Sequence, residues 1–120
     1  NAGRSQMAAA LLQHHSMGRI KVQSAGSTPG EQVNVAAVQA LQEWGIDISR
    51  LEPKKLDRHA VEQSDVVITM GCGDVCPIFQ GVRYEDWLLE DPAGQTIDVV
   101  RQIRDQIDLR VRTLISELLD

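Results

Sequence analysis

The pattern of apolar residues in the first fifth of the chain predicts one helix followed by one strand. Residues 4–15 are rich in Ala, Leu, Met and Gln, which favour helix, and Gly18 marks the end of the pattern. The core-facing residues of this helix are predicted to be Met7, Leu11 and Leu12. Residues 20–24, I-K-V-Q-S, predict a short strand that is closed by a loop with two glycines and a proline.

Helical spacing returns in residues 31–44, and Gly45 ends it. The apolar positions that define this spacing are Val35, Val38, Leu41 and Trp44. A short helix is predicted at residues 56–63. It leads into residues 65–70, D-V-V-I-T-M, a β-branched run that is apolar on both faces. Such a strand lies in the middle of a sheet that is covered on both faces, as parallel sheets require.

The last third of the chain predicts a more polar strand at residues 83–89, a turn at residues 90–94 and a closing helix at residues 95–119. The helix carries one apolar stripe, made of Ile97, Val100, Ile103, Ile107, Val111, Leu114 and Leu118. Strands that alternate with helices predict an open α/β sheet, with ligands bound beyond the carboxyl ends of the strands. At 120 residues, the chain is predicted to form a single domain, residues 1–120.

Charge and composition restrict the partners of this domain. The formal net charge is −5 and the Lys and Arg residues are scattered, so neither nucleic acid nor an anionic membrane is an expected partner. No apolar run approaches the roughly 20 residues of a spanning helix, and nothing resembles a secretory signal, which predicts a cytoplasmic protein. The two cysteines, Cys72 and Cys76, lie too close in sequence for a useful structural disulfide. Their spacing indicates redox or metal chemistry.

The first residues of the chain carry candidate anion-binding chemistry. A small turn with Gly3 runs directly into a helix whose first turn carries Arg4 and Ser5. Backbone N–H groups of such a turn converge on one point, the helix dipole adds partial positive charge, and a guanidinium grips two oxyanion oxygens at once. The alternative is an ordinary capped helix, with Asn1 or Ser5 as the cap.

A cradle of this kind normally follows a buried strand in an α/β fold, whereas this sequence begins inside the cradle. An open sheet without that strand would expose the apolar sides of its neighbours. We therefore expect either residues upstream of Asn1 or a partner chain that fills the gap.

Five segments together carry a family resemblance. They are N-A-G-R-S-Q-M-A, S-A-G-S, V-N-V-A-A-V-Q-A-L-Q-E-W-G-I-D-I-S, T-M-G-C-G-D-V-C-P and E-D-W-L-L-E-D-P-A-G. In this order and spacing, they resemble the thioredoxin-coupled arsenate reductases, which are related to low-molecular-weight protein tyrosine phosphatases. The resemblance implies a three-layer open parallel sheet of the low-molecular-weight phosphatase type with about four strands, the first of which is missing from this sequence.

The resemblance also implies the composition of the oxyanion site. The family's phosphate loop is C-x5-R-S, and the chain contains its end. The nucleophilic cysteine would lie three residues before Asn1, so the polypeptide as given is expected to be inactive. The oxyanion-binding residues would be Asn1, Ala2, Gly3, Arg4 and Ser5. Arsenate is a tetrahedral oxyanion like phosphate, and a backbone cradle with a forked guanidinium suits it.

Three further residues take catalytic roles under this resemblance. Asp91, fixed by Pro92, matches the general acid by position, whereas without the resemblance the pattern favours an ordinary turn residue before a proline. Cys72 would attack the first cysteine after a thiol–arsenate adduct forms, and Cys76 would then leave a Cys72–Cys76 disulfide. On a helix, Cβ atoms four residues apart are about 5–6 Å from each other, whereas a disulfide needs about 3.8 Å. Oxidation is therefore expected to distort residues 71–77.

The implied activity is reduction of arsenate to arsenite with thioredoxin as the electron donor. The close spacing of Cys72 and Cys76 leaves a mycothiol- or glutaredoxin-type reductant open. No cofactor is expected. No metal ion is expected either, because Ala9 stands where some relatives carry an acidic residue that helps to hold potassium.

Two other function classes compete with this interpretation. A protein tyrosine phosphatase shares the cradle, Arg4 and Asp91, but flanks its pocket with aromatic residues. Here Ala93 and Gly94 follow Pro92, which favours a small inorganic substrate. A non-enzymatic module could bind a metal or arsenite through the two thiols and a histidine, although a single close thiol pair is a weak zinc signature.

Overall fold

The computed structural model describes residues 4–22, 35–48, 57–70, 78–90, 92 and 94–119. Its elements are, in chain order, α1 (Arg4–Ser16), α2 (Val35–Gln42), α3 (Arg58–Glu62), β1 (Val66–Thr69), β2 (Arg83–Asp86) and α4 (Ile97–Leu119). β1 and β2 pair in parallel, which confirms the predicted α/β class. None of the helices in these ranges is long and apolar enough to cross a membrane.

The centre of the core lies between α1 and α4, as their apolar patterns predict. Met7 and Leu11 of α1 are completely buried, and Leu12 is nearly so. The inner face of α4 buries Val100, Ile103, Ile107, Val111 and Leu114. The predicted stripe on α4 is therefore confirmed except at its ends, where Ile97 is half-buried and Leu118 is exposed. Each fully buried Leu or Ile side chain contributes about 1.5–3 kcal/mol of hydrophobic stabilisation.

The ends of the two long helices have identifiable caps. Gly18 adopts a left-handed conformation with φ of 78°, and its amide donates to the Gln13 carbonyl at 3.2 Å. This contact satisfies one of the last carbonyls of α1, which confirms that Gly18 ends the first helix. At the start of α4, the Thr96 hydroxyl accepts from the Val99 amide at 3.4 Å. The closing helix therefore begins at Ile97, two residues later than predicted.

The buried face of the second helix is made mainly of alanines. Ala37, Ala40 and Leu41 are completely buried in α2, whereas Val35 is 69% exposed. Of the four apolar positions that define the helical spacing, Leu41 is completely buried, Val38 is partly buried, and Val35 and Trp44 are exposed. The small alanine side chains fill the rest of the face that packs against α1 and α4. The predicted start of this helix, residues 31–34, lies outside the described residues, and α2 ends at Gln42 rather than at Trp44.

The strands are shorter than predicted. Residues 20–22 form no strand, because they pair with neither strand of the described sheet, and residues 23–24 lie outside the described part of the chain. β1 is half-buried along its length rather than fully covered, since β2 is its one partner among the described residues. β2 ends at Asp86 rather than at Leu89, and the next residue, Trp87, is 2% exposed in the core. The described residues thus contain two of the roughly four expected strands.

A buried arginine fixes the end of α2 on α4. Arg104 is 7% exposed, and its Nη1 donates to the Ala40 carbonyl and to Glu43 Oε1, both at 2.8 Å. Its guanidinium also lies 3.9 Å from the centre of the Trp44 ring. Hydrogen bonds from Arg101 and from Arg104 lower the pKa of Glu43. The Ala40 carbonyl near the end of α2 and the Glu43 side chain directly after it are therefore held by charge-assisted hydrogen bonds.

A second charged cluster connects the other end of α1 to α4. His15 Nε2 lies 2.6 Å from Asp108 Oδ1, and Arg112 Nε donates to Asp108 Oδ2 at 2.8 Å. Burial disfavours the charged form of Asp108, but the hydrogen bonds from Arg112 and His15 outweigh it and lower the pKa of this carboxyl. The carboxylate thus bridges two helices that also share the apolar core.

Asp108→Asn is expected to lower the free energy of unfolding at neutral pH by about 1–2 kcal/mol, because the amide cannot accept two charge-assisted hydrogen bonds. The folded carboxyl has a pKa below its usual 3.8, so its stabilisation is present above that value and is lost as the pH falls through the lowered pKa. Urea unfolding from pH 2 to pH 7 measures both effects.

The matched control for this substitution is Glu117→Gln on the same helix. Glu117 pairs with Arg83 at 2.6 Å, but both side chains are nearly half exposed, so we expect a change below about 1 kcal/mol. An Asp108→Asn effect that stays constant down to pH 2 contradicts the role of the ionised carboxylate.

Candidate active site

Arg4 is the first residue of α1, and its side chain is buried. The residue is 5% exposed, and Nη1 donates to the Leu89 carbonyl at 2.6 Å. Leu89 lies three residues beyond the end of β2. Amides in the first turn of a helix have no intrahelical acceptors, so this end of α1 carries partial positive charge, and the guanidinium adds a full charge beside it. The geometry therefore brings a cationic helix end to the carboxyl end of β2.

Both described strands end at this same edge of the sheet. Thr69, the last residue of β1, lies opposite Asp86, the last residue of β2. The Trp87 amide donates to the Thr69 carbonyl at 2.7 Å, and Thr69 Oγ1 donates to Asp86 Oδ1 at 2.8 Å. In sequence, Cys72 follows Thr69 by three residues and Asp91 follows Asp86 by five. The segments with the candidate thiols and the candidate acid thus both start at the edge that Arg4 contacts through Leu89.

Two of the predicted site residues lie in the described part of the chain. Arg4 is buried and Ser5 is half-buried at the N-terminal end of α1. The others lie outside the described residues: Asn1, Ala2, Gly3, Cys72, Cys76 and Asp91. Of their described neighbours, Met70 is 4% exposed and Pro92 is completely buried. The segments with Cys72 and Asp91 therefore adjoin residues that are anchored in the fold, and the roles of the six residues stay predictions.

The arrangement of Arg4 is suited to anion binding. An arginine carries five N–H donors in a planar fork, so a contact with the Leu89 carbonyl is compatible with a contact with an oxyanion. The buried position removes competing water, which strengthens an interaction between opposite charges. Within the described ranges, no group of three His, Cys, Asp or Glu side chains is placed to hold a metal ion.

Three residues of this edge are not identified by the sequence analysis. Leu89 contributes a backbone carbonyl, and a backbone acceptor has no residue-type signal. Thr69 falls within a predicted strand, and Asp86 falls within another. Their contact becomes visible only when the register places the two strand ends opposite each other.

Together these features define an α/β protein that presents a cationic helix end at the carboxyl edge of a small parallel sheet. The chain belongs to the family of low molecular weight phosphotyrosine protein phosphatases, whose model matches residues 1–120.

Within this family, the chain is similar to proteins named as arsenate reductases. It is 37% identical to the glutaredoxin arsenate reductase of Synechocystis over 98% of this chain and 92% of that protein. A structure of the thioredoxin-dependent arsenate reductase of Corynebacterium glutamicum superposes with a TM-score of 0.84 at 44% identity, covering 98% of this chain and 56% of that one. A third relative, an arsenate reductase solved in the phosphate binding state, has a TM-score of 0.87 at 36% identity, with 98% and 92% covered.

Proposed function

We propose that this protein reduces arsenate to arsenite through an intramolecular thiol relay. The observation that carries the proposal is the hydrogen bond from Arg4 to the Leu89 carbonyl, because it joins the cationic end of α1 to the segment that leads into Asp91. Relatives named as arsenate reductases that span most of this chain support the choice of reaction.

The substrate binds at the N-terminal end of α1. The amides of residues 1–5 and the Arg4 guanidinium would surround the oxygens of a tetrahedral oxyanion. The relative that was solved in its phosphate binding state supports this assignment, since arsenate and phosphate share shape and charge. Asn1, Ala2, Gly3 and Ser5 enter this proposal through the match to the family's phosphate loop.

The first chemical step forms a covalent adduct. The thiolate of the upstream cysteine attacks arsenic, a sulfur–arsenic bond forms, and one hydroxide leaves. Asp91 donates the proton that converts this hydroxide into water. The partial charge of the helix end and the charge of Arg4 stabilise both the thiolate and the negative charge on the arsenate oxygens.

The second step transfers two electrons to arsenic. The Cys72 thiolate attacks the sulfur of the first cysteine, a disulfide forms, and the sulfur–arsenic bond breaks with its electron pair on arsenic, so that arsenite leaves. The Cys76 thiolate then attacks Cys72 and releases the first cysteine. In total, two thiols are oxidised to the Cys72–Cys76 disulfide, one arsenic is reduced by two electrons and one water is released.

The reductant must return two electrons to the Cys72–Cys76 disulfide. We propose thioredoxin, which the similarity to the Corynebacterium glutamicum enzyme favours, with glutaredoxin as the alternative in view of the Synechocystis relative. A relay of free thiols also requires a reducing compartment, so we propose the cytoplasm as its location.

The deciding assay follows the oxidation of reduced thioredoxin by the full-length protein in the presence of arsenate. We expect one arsenite for each thioredoxin disulfide formed, and no oxidation when phosphate replaces arsenate. Replacing thioredoxin with glutaredoxin and glutathione tests the alternative reductant. Arsenate that stays unreduced with every thiol donor contradicts the proposal.

The second candidate is a protein tyrosine phosphatase, which the family match favours. It predicts hydrolysis of an aryl phosphate by the same site without any thiol donor. Aryl phosphate hydrolysis together with an absence of arsenate reduction would select this candidate. We expect at most weak hydrolysis, because Ala93 and Gly94 follow Pro92 and no aromatic side chain follows Asp91 to stack on an aryl ring.

A further inference from the structure

We propose that Thr69 and Asp86 are positioning residues for the thiol relay. The hydrogen bond between their side chains holds the strand end that leads to Cys72 against the strand end that leads to Asp91. This inference rests on the function proposed above, and it assigns a role to two residues that belong neither to the proposed oxyanion-binding set nor to the thiols of the relay.

The contact lies at the last position of the described strand ladder. Thr69 and Asp86 are register partners, and the backbone adds a hydrogen bond from the Trp87 amide to the Thr69 carbonyl at 2.7 Å. Thr69 Oγ1 is 2.8 Å from Asp86 Oδ1 and 3.5 Å from the Glu85 carbonyl. The end of β1 is therefore held to the end of β2 by two hydrogen bonds, one through the Thr69 side chain and one through the Thr69 backbone.

The position of this contact allows thiol attack by Cys72 to be disturbed separately from oxyanion binding at the end of α1. Arg4 reaches the segment after β2 through the Leu89 carbonyl, so the anion-binding end of α1 is held without Thr69. The segment with Cys72 starts from β1, and Thr69 is the last residue of that strand. Loss of the hydroxyl should consequently disturb the attack by Cys72 much more than it disturbs the binding of the oxyanion.

Thiol attack is sensitive to such a disturbance. The attacking sulfur must approach in line with the bond that breaks, and a misplacement of about 1 Å is enough to slow a reaction roughly a hundredfold. By contrast, Asp86 is exposed and Thr69 only half-buried, so their hydrogen bond contributes little to global stability. A structural role and a positioning role therefore predict different measurements.

The test compares six full-length proteins: wild type, Thr69→Val, Thr69→Ser, Asp86→Ala, the double variant Thr69→Val/Asp86→Ala and the control Thr113→Val. Valine keeps the shape and strand preference of threonine and replaces the hydroxyl with a methyl group, which cannot donate a hydrogen bond. Reduced enzyme is mixed with arsenate without any external reductant, and the rate of the single round of arsenite release is measured. Inhibition by phosphate gives the affinity for the oxyanion, and thermal unfolding reports stability.

We expect Thr69→Val and Asp86→Ala to slow arsenite release about tenfold, with phosphate affinity within twofold of wild type. Thr69→Ser should restore the rate to within about threefold, because it retains the donor. The double variant should be no slower than either single variant, as expected for two residues that act through one contact. The matched control is Thr113→Val, whose hydroxyl donates to the Leu109 carbonyl within α4, and it should leave the rate unchanged.

Three outcomes overturn the positioning role: an unchanged rate in Thr69→Val, an equal loss in Thr69→Ser, or a parallel loss of phosphate affinity. Each of these leaves the proposed function intact as long as the wild type releases arsenite. A wild-type enzyme that releases none refutes the proposed function instead, and the positioning role with it.

Discussion

Cys72→Ser in the full-length enzyme is expected to reduce arsenite release by at least about a thousandfold, because the hydroxyl is a far weaker nucleophile toward sulfur than a thiolate. The adduct with the first cysteine can still form, but no second thiol is in place to release arsenite from it. Cys76→Ser is expected to behave differently. Cys72 can still release one arsenite per enzyme, after which the protein is trapped as a disulfide between the first cysteine and Cys72.

Rapid quenching separates these two cases. Arsenite is quantified in the first turnover and in the steady state, and the trapped disulfide is mapped by mass spectrometry after digestion. Inhibition by phosphate serves as the control, since neither serine should change oxyanion affinity. A single equivalent of arsenite from Cys72→Ser and none from Cys76→Ser would reverse the order of the two thiols. Undiminished steady-state reduction by the variant with both serines would refute the relay.

Arg4→Lys is expected to lower kcat/KM for arsenate by at least about a hundredfold, although it keeps the positive charge. Lysine offers a point charge rather than a fork of donors, so it cannot grip two oxygens of a tetrahedral anion in one plane. Its ammonium also cannot reproduce the geometry of the 2.6 Å contact with the Leu89 carbonyl at the same time as an oxyanion contact. Steady-state kinetics with arsenate and inhibition by phosphate measure the loss.

The matched control is Arg112→Lys. Arg112 pairs with Asp108, which also contacts His15 near the C-terminal end of α1. His15 lies about 16 Å along α1 from Arg4. We expect activity within twofold of wild type. Equal effects of the two substitutions, or a phosphate affinity unchanged in Arg4→Lys, would contradict the role of Arg4 in holding the oxyanion.

The long helices could be predicted from the sequence because burial there follows residue size and spacing. Met7 and Leu11 in α1, and the stripe from Val100 to Leu114 in α4, are large apolar side chains at helical intervals, and they form the core. In α2 the same rule holds for Leu41 but not for Val35, which is exposed. Ala37 and Ala40 occupy the buried face because a close approach between helices selects small residues, and a pattern of hydrophobicity alone does not encode the distance between helices.

The candidate site was predictable to the extent that its chemistry resides in side chains. Arg4 is recognisable next to Gly3, and the structure places it buried at the predicted helix end. Its contact with Leu89 was not predictable, because a backbone carbonyl looks alike in every residue.

The burial of Arg104, outside the candidate site, was also not predicted. A charged residue in an amphipathic helix is normally solvated, and the burial of Arg104 depends on the Ala40 carbonyl of α2 and on Glu43 and Trp44, which follow that helix.

The position of Trp87 makes it an intrinsic fluorescent probe of the end of β1. Its amide is bonded to Thr69, three residues before Cys72, and its indole N–H donates to Glu85 at 3.0 Å within a nearly closed environment. The second tryptophan of the chain, Trp44, lies beneath Arg104 on α2's side of α4 and is far less enclosed. Under the proposed relay, oxidation distorts the segment that begins just after Thr69, so we expect the emission of Trp87 to respond more strongly than that of Trp44 when the dithiol becomes a disulfide.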